Sequence, residues 1–186
     1  MASVRTPPAT VDDLACVTDK AELIDGRIVL LVPTGRKPGR VAGRIYRSLD
    51  DYATDTGRGE AYPDNVGFTV PRLSSGRQSF APDASFHLGP FPADPMRFLE
   101  GSPILAVEVR SEHDYTPSAE AEMAAKRADY FEAGTRMVWD VAPIAECIRI
   151  YRAEMPDRPS TFQHGQVVDA EPLLPGWHVD VDWIFA

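Results

Sequence analysis

Cysteine is scarce in this sequence, and long apolar segments are missing from it. Two cysteines, Cys16 and Cys147, cannot build a disulfide framework or a four-cysteine zinc site. The longest purely apolar run, residues 28–32, is far too short to cross a bilayer. Residues 1–14 contain no apolar segment behind a basic start, so we expect no signal peptide and a cytoplasmic protein without a membrane partner.

Internal repeats, low-complexity tracts and long linkers are also missing. The 186 residues are 44% hydrophobic and 25% charged, which is the size and composition of one globular domain. We therefore predict a single domain over residues 1–186, in which residues 1–18 form an N-terminal extension.

Basic residues are outnumbered by acidic ones. There are 19 Lys and Arg against 28 Asp and Glu, and the net charge of -9 argues against a protein that coats nucleic acid. Residues 26–49 are an exception, because they contain basic residues and no acidic one. The chain therefore combines an acidic body with one local positive patch.

Within this patch, residues 40–52 have the hydrophobic period of a helix. Its apolar positions are Val41, Ile45, Leu49 and Tyr52. Three arginines share a neighbouring stripe: Arg40, Arg44 and Arg47. This stripe either binds the phosphates of a nucleic acid or is a solvated helix face.

The segments before and after this helix have the patterns of β-hairpins. Asp25-Gly26 predicts a hairpin turn into a strand at residues 27–32, with Glu22 in a short turn just before it. Residues 66–70 and 81–88 predict the two strands of a second hairpin. The Pro- and Gly-rich stretch that follows, residues 89–103, predicts a loop long enough to be a flap.

Strands and helices alternate in the second half of the chain. Residues 104–109 are typical of a strand buried on both faces, and Thr116-Pro117 predicts the start of a helix that Gly134 ends. Further strands are predicted at residues 137–141 and 147–151, and an edge element at residues 167–186. This order predicts an α/β or mixed α+β fold, with a central mixed sheet flanked by helices.

Glu108 is the one charged residue in its predicted buried strand. A carboxylate there costs several kcal/mol unless it is paired or binds a metal. Candidate partners are Asp83, at the entrance of a strand that could lie alongside, and Lys126, in the helix that follows. Two converging carboxylates beside an ammonium are typical of a magnesium-dependent site for phosphodiester hydrolysis.

Each of these three residues also has a purely structural interpretation. Glu108 could be buried against an arginine, and Asp83 could be an ordinary turn residue after Pro82. Lys126 could form a surface ion pair with Glu122, four residues earlier on the helix.

The chain resembles the Uma family, a large bacterial family of restriction-endonuclease-like proteins, over roughly residues 20–185. The segments that carry the resemblance, in the family's order and spacing, are ELIDG (22–26), APDASF (81–86), AVEVRS (106–111), KRADYFEAG (126–134) and VWDV (138–141). The resemblance implies a nuclease core of the PD-(D/E)xK type whose lysine has moved from strand to helix.

The resemblance also implies roles for individual residues. Asp83 and Glu108 would hold Mg²⁺ or Mn²⁺, with the Val109 carbonyl as a third ligand. Lys126 would orient the attacking water, and Glu22 would be an auxiliary ligand or the partner of that lysine. The strand position at which the nuclease superfamily usually has lysine holds Arg110.

These observations favour a magnesium-dependent endonuclease that hydrolyses DNA, acting as a homodimer because cutting two strands favours paired sites. The alternative is a catalytically weak nuclease-like module that binds a nucleic acid or a protein partner, which the net charge favours. A third interpretation is a structural oligomer in which protein groups alone satisfy Glu108.

Overall fold

A computed structural model describes residues 7–186. Of the predicted N-terminal extension, residues 1–6 lie outside this range, and the remainder contains a one-turn helix. The elements are α1 (Val11–Leu14), β1 (Ala21–Ile24), β2 (Arg27–Leu30), α2 (Arg36–Thr56), β3 (Glu60–Pro63), β4 (Phe68–Thr69), β5 (Ser79–Phe80), β6 (Ala84–His87), β7 (Leu99–Glu100), β8 (Leu105–Val109), α3 (Pro117–Glu132), β9 (Met137–Ala142), β10 (Cys147–Arg152), β11 (Met155–Phe162), β12 (Val167–Asp169), β13 (His178–Asp180) and α4 (Val181–Phe185).

A six-stranded mixed sheet forms the centre of the fold. Its strand order is β11-β10-β9-β8-β6-β3, and only β8 and β9 run parallel. All residues of β9 are buried, as is expected of a strand that is covered on both faces. The predicted central mixed sheet is confirmed.

Each face of the sheet packs against its own hydrophobic core. On one face, the apolar stripe of α2 packs on β6 and β8, and the α4 region completes this core through residues such as Trp177 and Ile184. On the other face, Tyr130 of α3 packs with Ala106, Val138 and Phe80. Because side chains alternate along β8, Val107 faces α2 whereas Glu108 faces α3.

The two predicted helices are confirmed. α2 covers residues 40–52 and extends beyond them at both ends. α3 begins where predicted, because the Thr116 hydroxyl accepts a hydrogen bond from the Ala119 amide at 3.2 Å. The chain leaves this helix through Gly134, whose φ of +105° favours glycine. Among residues 7–186, no helix combines the length and apolar character needed to cross a membrane.

The predicted hairpin of residues 66–70 and 81–88 is only half right. β4 pairs with β5 as a hairpin, but the second segment leaves this small sheet and forms β6 in the central one. The Asp83 amide donates to the Val107 carbonyl at 3.0 Å, so the chain joins β8 from this residue on. The predicted loop at residues 89–103 also contains a strand, β7, which pairs with β4.

Glu22 was predicted in a turn, but it lies within β1, opposite Val29. The turn itself is confirmed, because Asp25 and Gly26 both have positive φ, at 48° and 67°. Residues 167–186, predicted as an edge element, form the separate pair β12-β13 and α4 and not a strand of the central sheet. β11 is an edge instead, and its prolines are tolerated there because an edge strand need not use every N–H.

One histidine links this C-terminal region to a neighbouring turn. His164 lies with Nδ1 2.6 Å from Asp182 and Nε2 2.5 Å from Glu146. Both ring nitrogens can donate only when the imidazole is protonated. The hydrogen bonds to Glu146 and Asp182 raise the pKa of His164. Its stabilising effect is therefore fully present below about pH 6.5, the usual histidine pKa, and is lost as pH rises through the raised value.

We expect His164→Gln to have a lower melting temperature than wild type near pH 6. The difference between the two melting temperatures should disappear as pH rises. Thermal unfolding followed by circular dichroism across the pH range tests this expectation. His178→Gln is the control, because the Nδ1 of His178 lies 3.0 Å from a backbone carbonyl, that of Gly176. A gap for His164→Gln that stays constant with pH would contradict the prediction.

Candidate active site

The structure brings Asp83 and Glu108 together on neighbouring strands. Ala84 is opposite Val107 in the antiparallel pair of β6 and β8, which places Asp83, just before β6, next to Glu108. Both side chains are partly accessible, at 22% and 17%. These carboxylates therefore lie side by side near one end of the sheet.

Glu108 is bound by two side chains of α3. The Lys126 ammonium lies 2.9 Å from both of its carboxylate oxygens, and the Tyr130 hydroxyl donates to Oε1 at 2.6 Å. Lys126 and Tyr130 are four residues apart, so they project from the same face of the helix. The Tyr130 ring stacks on Phe80 with centroids 4.1 Å apart, which holds the hydroxyl in position.

Lys126 therefore does not form the surface pair that its spacing allowed. Glu122 accepts a hydrogen bond from Ser118 instead. Glu108 is likewise not buried against the nearby Arg110, which binds Asp140. Neither Lys126 nor Glu108 therefore makes the pair that its purely structural interpretation required.

Glu22 shares the same ammonium. Its Oε1 lies 3.0 Å from Lys126 Nζ and accepts from the Ala81 amide at 3.1 Å, while its Oε2 binds Arg77. Arg77 also donates to Asp129 at 2.8 Å. Arg77 was not identified from the sequence, because a single arginine in a turn carries no local signal of a partner 55 residues away.

Asp83 has partners of its own. Its Oδ1 lies 3.0 Å from Lys20 Nζ, and its Oδ2 accepts from the Val109 amide at 2.8 Å. Lys20 also binds Asp64 and was not identified from the sequence either. The role of the Val109 carbonyl as a metal ligand stays a prediction.

Negative charge exceeds positive charge in this connected site. Five carboxylates share three cationic side chains; the carboxylates are Glu22, Asp64, Asp83, Glu108 and Asp129, and the cations are Lys20, Arg77 and Lys126. Burial raises the pKa of Glu108, and the charges of Asp83 and Glu22 add to this effect against the opposing ammonium. Burial would lower the pKa of Lys126, but Glu108 and Glu22 raise it above its usual value. Lys126 is therefore a charged donor in this arrangement.

A divalent cation fits this donor set. The part of the chain that the structure describes holds no preformed group of three or more His, Cys, Asp or Glu side chains arranged around a metal. Asp83 and Glu108 supply two carboxylates, and Mg²⁺ commonly keeps several waters beside one or two carboxylates. The excess of carboxylates over cations supplies the charge that such an ion would balance.

A cavity of about 130 Å³ opens beside Asp83. The residues that line it include Asp64, Val109 and, on α2, Gly39 and Gly43. Gly43 has room for a side chain, because no atom lies within 4 Å of the position that its Cβ would take. The cavity is therefore open on the side of this helix. A larger cavity of about 670 Å³ lies elsewhere, between α1 and residues 94–100, and contains none of the predicted site residues.

The arginine stripe of α2 lies apart from this site. Arg44 donates to the Trp183 carbonyl at 2.7 Å, and Arg40 lies 3.4 Å from the Ala186 carbonyl. Both arginines thus bind the carboxyl end of α4, where cations are favoured. Arg47 is exposed and 4.0 Å from Asp51. Nucleic-acid binding by Arg40, Arg44 and Arg47 stays a prediction.

Comparison with known proteins agrees with this architecture. A crystal structure titled as a putative nuclease belonging to DUF820, from Anabaena variabilis, superposes with a TM-score of 0.73 over 96% of this chain and 98% of that one, at 18% identity. The fold is thus the restriction-endonuclease-like mixed α/β fold. The chain belongs to the Uma2 family, described as "Putative restriction endonuclease", whose profile matches residues 12–182. Among curated proteins, none matches the chain. The predicted fold class and family are confirmed.

The hydrogen bond from Tyr130 to Glu108 leads to a prediction that can be tested without an activity assay. A hydrogen bond to the ionised carboxylate lowers its pKa, so Tyr130→Phe should raise the pKa of Glu108 further while the ring still stacks on Phe80. The shift is measured by carbon NMR titration of ¹³C-labelled glutamate side chains. Tyr115→Phe is the control, since the Tyr115 hydroxyl accepts from the Ile144 amide. An unchanged pKa of Glu108 in the Tyr130 variant would contradict the geometry.

Proposed function

We propose that this protein is a metal-dependent endonuclease that hydrolyses DNA phosphodiester bonds with Mg²⁺. The observation that carries the proposal is one arrangement: Asp83 at the entrance of β6 lies beside Glu108 on β8, with the Lys126 ammonium bonded to Glu108 and Glu22. Membership of the Uma2 family supports the nuclease class. Mn²⁺ is a second metal that the same oxygen ligands would accept.

The metal would be held by Asp83 and Glu108, with the Val109 carbonyl as a third ligand. A bound divalent cation supplies Lewis-acid polarisation of a phosphoryl oxygen and lowers the pKa of a bound water. Lys20 forms an ion pair with Asp83, so its ammonium would compete with a metal at this carboxylate.

Lys126 would act on the phosphate directly. Its raised pKa keeps it an ammonium, so it donates hydrogen bonds to the attacking water and to the negative charge that develops on the phosphate. Glu22 would hold this ammonium in place, and Arg77 in turn binds Glu22. We assign a homodimer to this activity, because cleavage of both strands favours paired sites.

The pairing of Asp83 with Lys20 favours a second candidate function, a nuclease-like module that binds a nucleic acid or a protein partner without turnover. Both Asp83 oxygens already have donors, from Lys20 and the Val109 amide. If these contacts outcompete a metal, the site is closed to catalysis. Metal binding and DNA hydrolysis therefore have to be measured separately.

The test is a magnesium titration of wild type and Asp83→Asn, followed by thermal unfolding and by assay on supercoiled plasmid. At a hundredfold excess over Kd, Mg²⁺ should stabilise wild type by about 2.7 kcal/mol, or roughly 5–10 °C, and the variant should show no shift. Asp51→Asn is the matched control, because Asp51 is exposed on α2 and lies outside this site. An equal shift in Asp83→Asn would place the metal elsewhere. A normal shift without hydrolysis would favour the second candidate.

A further inference from the structure

A second charged cluster lies beside the proposed active site, on the same face of the central sheet. Asp140 on β9 is opposite Glu108, and Arg149 on β10 is opposite Asp140. Lys126 and Arg127, adjacent on α3, contact Glu108 and Asp140 respectively. The carboxylate-rich site and this cluster are therefore neighbours in the fold.

The cluster is built around one buried carboxylate. Arg110 donates to both oxygens of Asp140 at 2.6 Å, which is the bidentate geometry of a strong pair. Arg127 and Arg149 lie farther from the same Oδ2, at 3.5 and 3.8 Å. Glu120 lies 2.7 Å from Arg110 and 3.7 Å from Arg127. Three guanidinium groups thus share two carboxylates.

The cluster itself carries one more cation than carboxylate. Arg110 already satisfies Asp140, and two further cations repel it and each other. The guanidinium of Arg127 lies over the Tyr151 ring at 4.1 Å, and its side chain is 12% exposed. The Arg149 side chain is 35% exposed, so its donors are accessible from solvent.

We propose that Arg127 and Arg149 form a binding subsite for a backbone phosphate of the DNA substrate, with Arg110 behind them. This inference rests on the proposed function. Planar guanidinium groups match the geometry of phosphate oxygens. Two strand spacings separate Glu108 from Arg149, or about 10 Å. The phosphate bound here is therefore close to the scissile bond.

Glu120 occupies this subsite as an internal anion. Its side chain is 48% exposed and reaches Arg110 and Arg127 from the first turn of α3. An incoming phosphate has to displace this carboxylate. Removal of the negative charge at Glu120 should therefore strengthen DNA binding, whereas removal of the positive charge at Arg149 should weaken it.

The experiment measures binding of a fluorescent DNA duplex by anisotropy in EDTA, where no hydrolysis occurs. We expect Arg149→Ala to bind about tenfold more weakly and to lower the slope of log K against log salt by about one unit. The control Arg158→Ala removes the same charge from an exposed position on β11 and should behave as wild type. Melting temperatures of both variants establish that they are folded.

Glu120→Gln should bind the duplex several-fold more tightly, and Glu122→Gln, two residues along the same helix, should not. The proposal is overturned if Arg149→Ala matches Arg158→Ala in affinity and salt slope, or if Glu120→Gln leaves the affinity unchanged. Plasmid hydrolysis by wild type in Mg²⁺ is scored separately. Hydrolysis with unaffected variants would remove only the subsite, whereas a wild type that neither binds the duplex nor hydrolyses plasmid would remove both proposals.

Discussion

Glu108→Gln is expected to lower magnesium-dependent DNA hydrolysis by about a thousandfold or more. Glutamine keeps the shape of the side chain, and its one amide oxygen, placed at the Oε1 position, can still accept from Tyr130 and Lys126, so the fold should be retained. It removes the negative charge that would help hold the metal, and metal stabilisation of the transition state contributes several kcal/mol, at about 1.36 kcal/mol per tenfold in rate. Single-turnover cleavage of a labelled duplex, with enzyme in excess, measures the loss.

Glu122→Gln is the matched control for this experiment. Glu122 is an exposed residue of the same helix as Lys126 and accepts a hydrogen bond from Ser118. Its variant should cleave at the wild-type rate. A Glu108→Gln rate within tenfold of wild type would remove this carboxylate from the reaction, and with it the proposed metal site.

Arg77→Met is expected to cost about 3–5 kcal/mol of folding free energy. Arg77 binds Glu22 and Asp129, and the side chains of all three residues are less than 10% exposed. Methionine fills similar space but leaves Asp129 buried without this cation and Glu22 with Lys126 alone. Urea unfolding followed by circular dichroism measures the change in the free energy of unfolding.

Arg72→Met is the control, because Arg72 pairs with Asp25 at the surface, where an ion pair contributes little. The deficit of Arg77→Met should also depend on pH. Burial alone would raise the pKa of Glu22, but Lys126 and Arg77 lower it below the ordinary value. The stabilisation that ionised Glu22 contributes is therefore present above the ordinary carboxylate pKa and is lost as pH falls through the lowered value. The difference from wild type should narrow below about pH 4. A deficit that does not change with pH would show that lost packing, not charge, causes it.

Several features of this protein follow from the sequence by itself. The apolar period of α2, the Thr116-Pro117 start of α3 and the buried strands β8 and β9 are local patterns, and the structure contains each of them. Glu108 was also conspicuous without any structure, because a single carboxylate in an apolar strand needs a partner. The motifs placed the chain in its family and identified Asp83 and Lys126 as residues to examine.

Only the tertiary structure shows how the charges are distributed around these residues. Lys20 reaches Asp83 across 63 positions, and Arg77 reaches Glu22 across 55. The edge strand β11 and the pairing of β3 with β6 likewise depend on neighbours that are distant in the chain. Local patterns determine which segments become helices and strands. The ion pairs and the order of the strands depend on contacts between segments that are distant in the chain. The same contacts place the carboxylate-rich site next to the arginine cluster, so local sequence patterns could not predict these features.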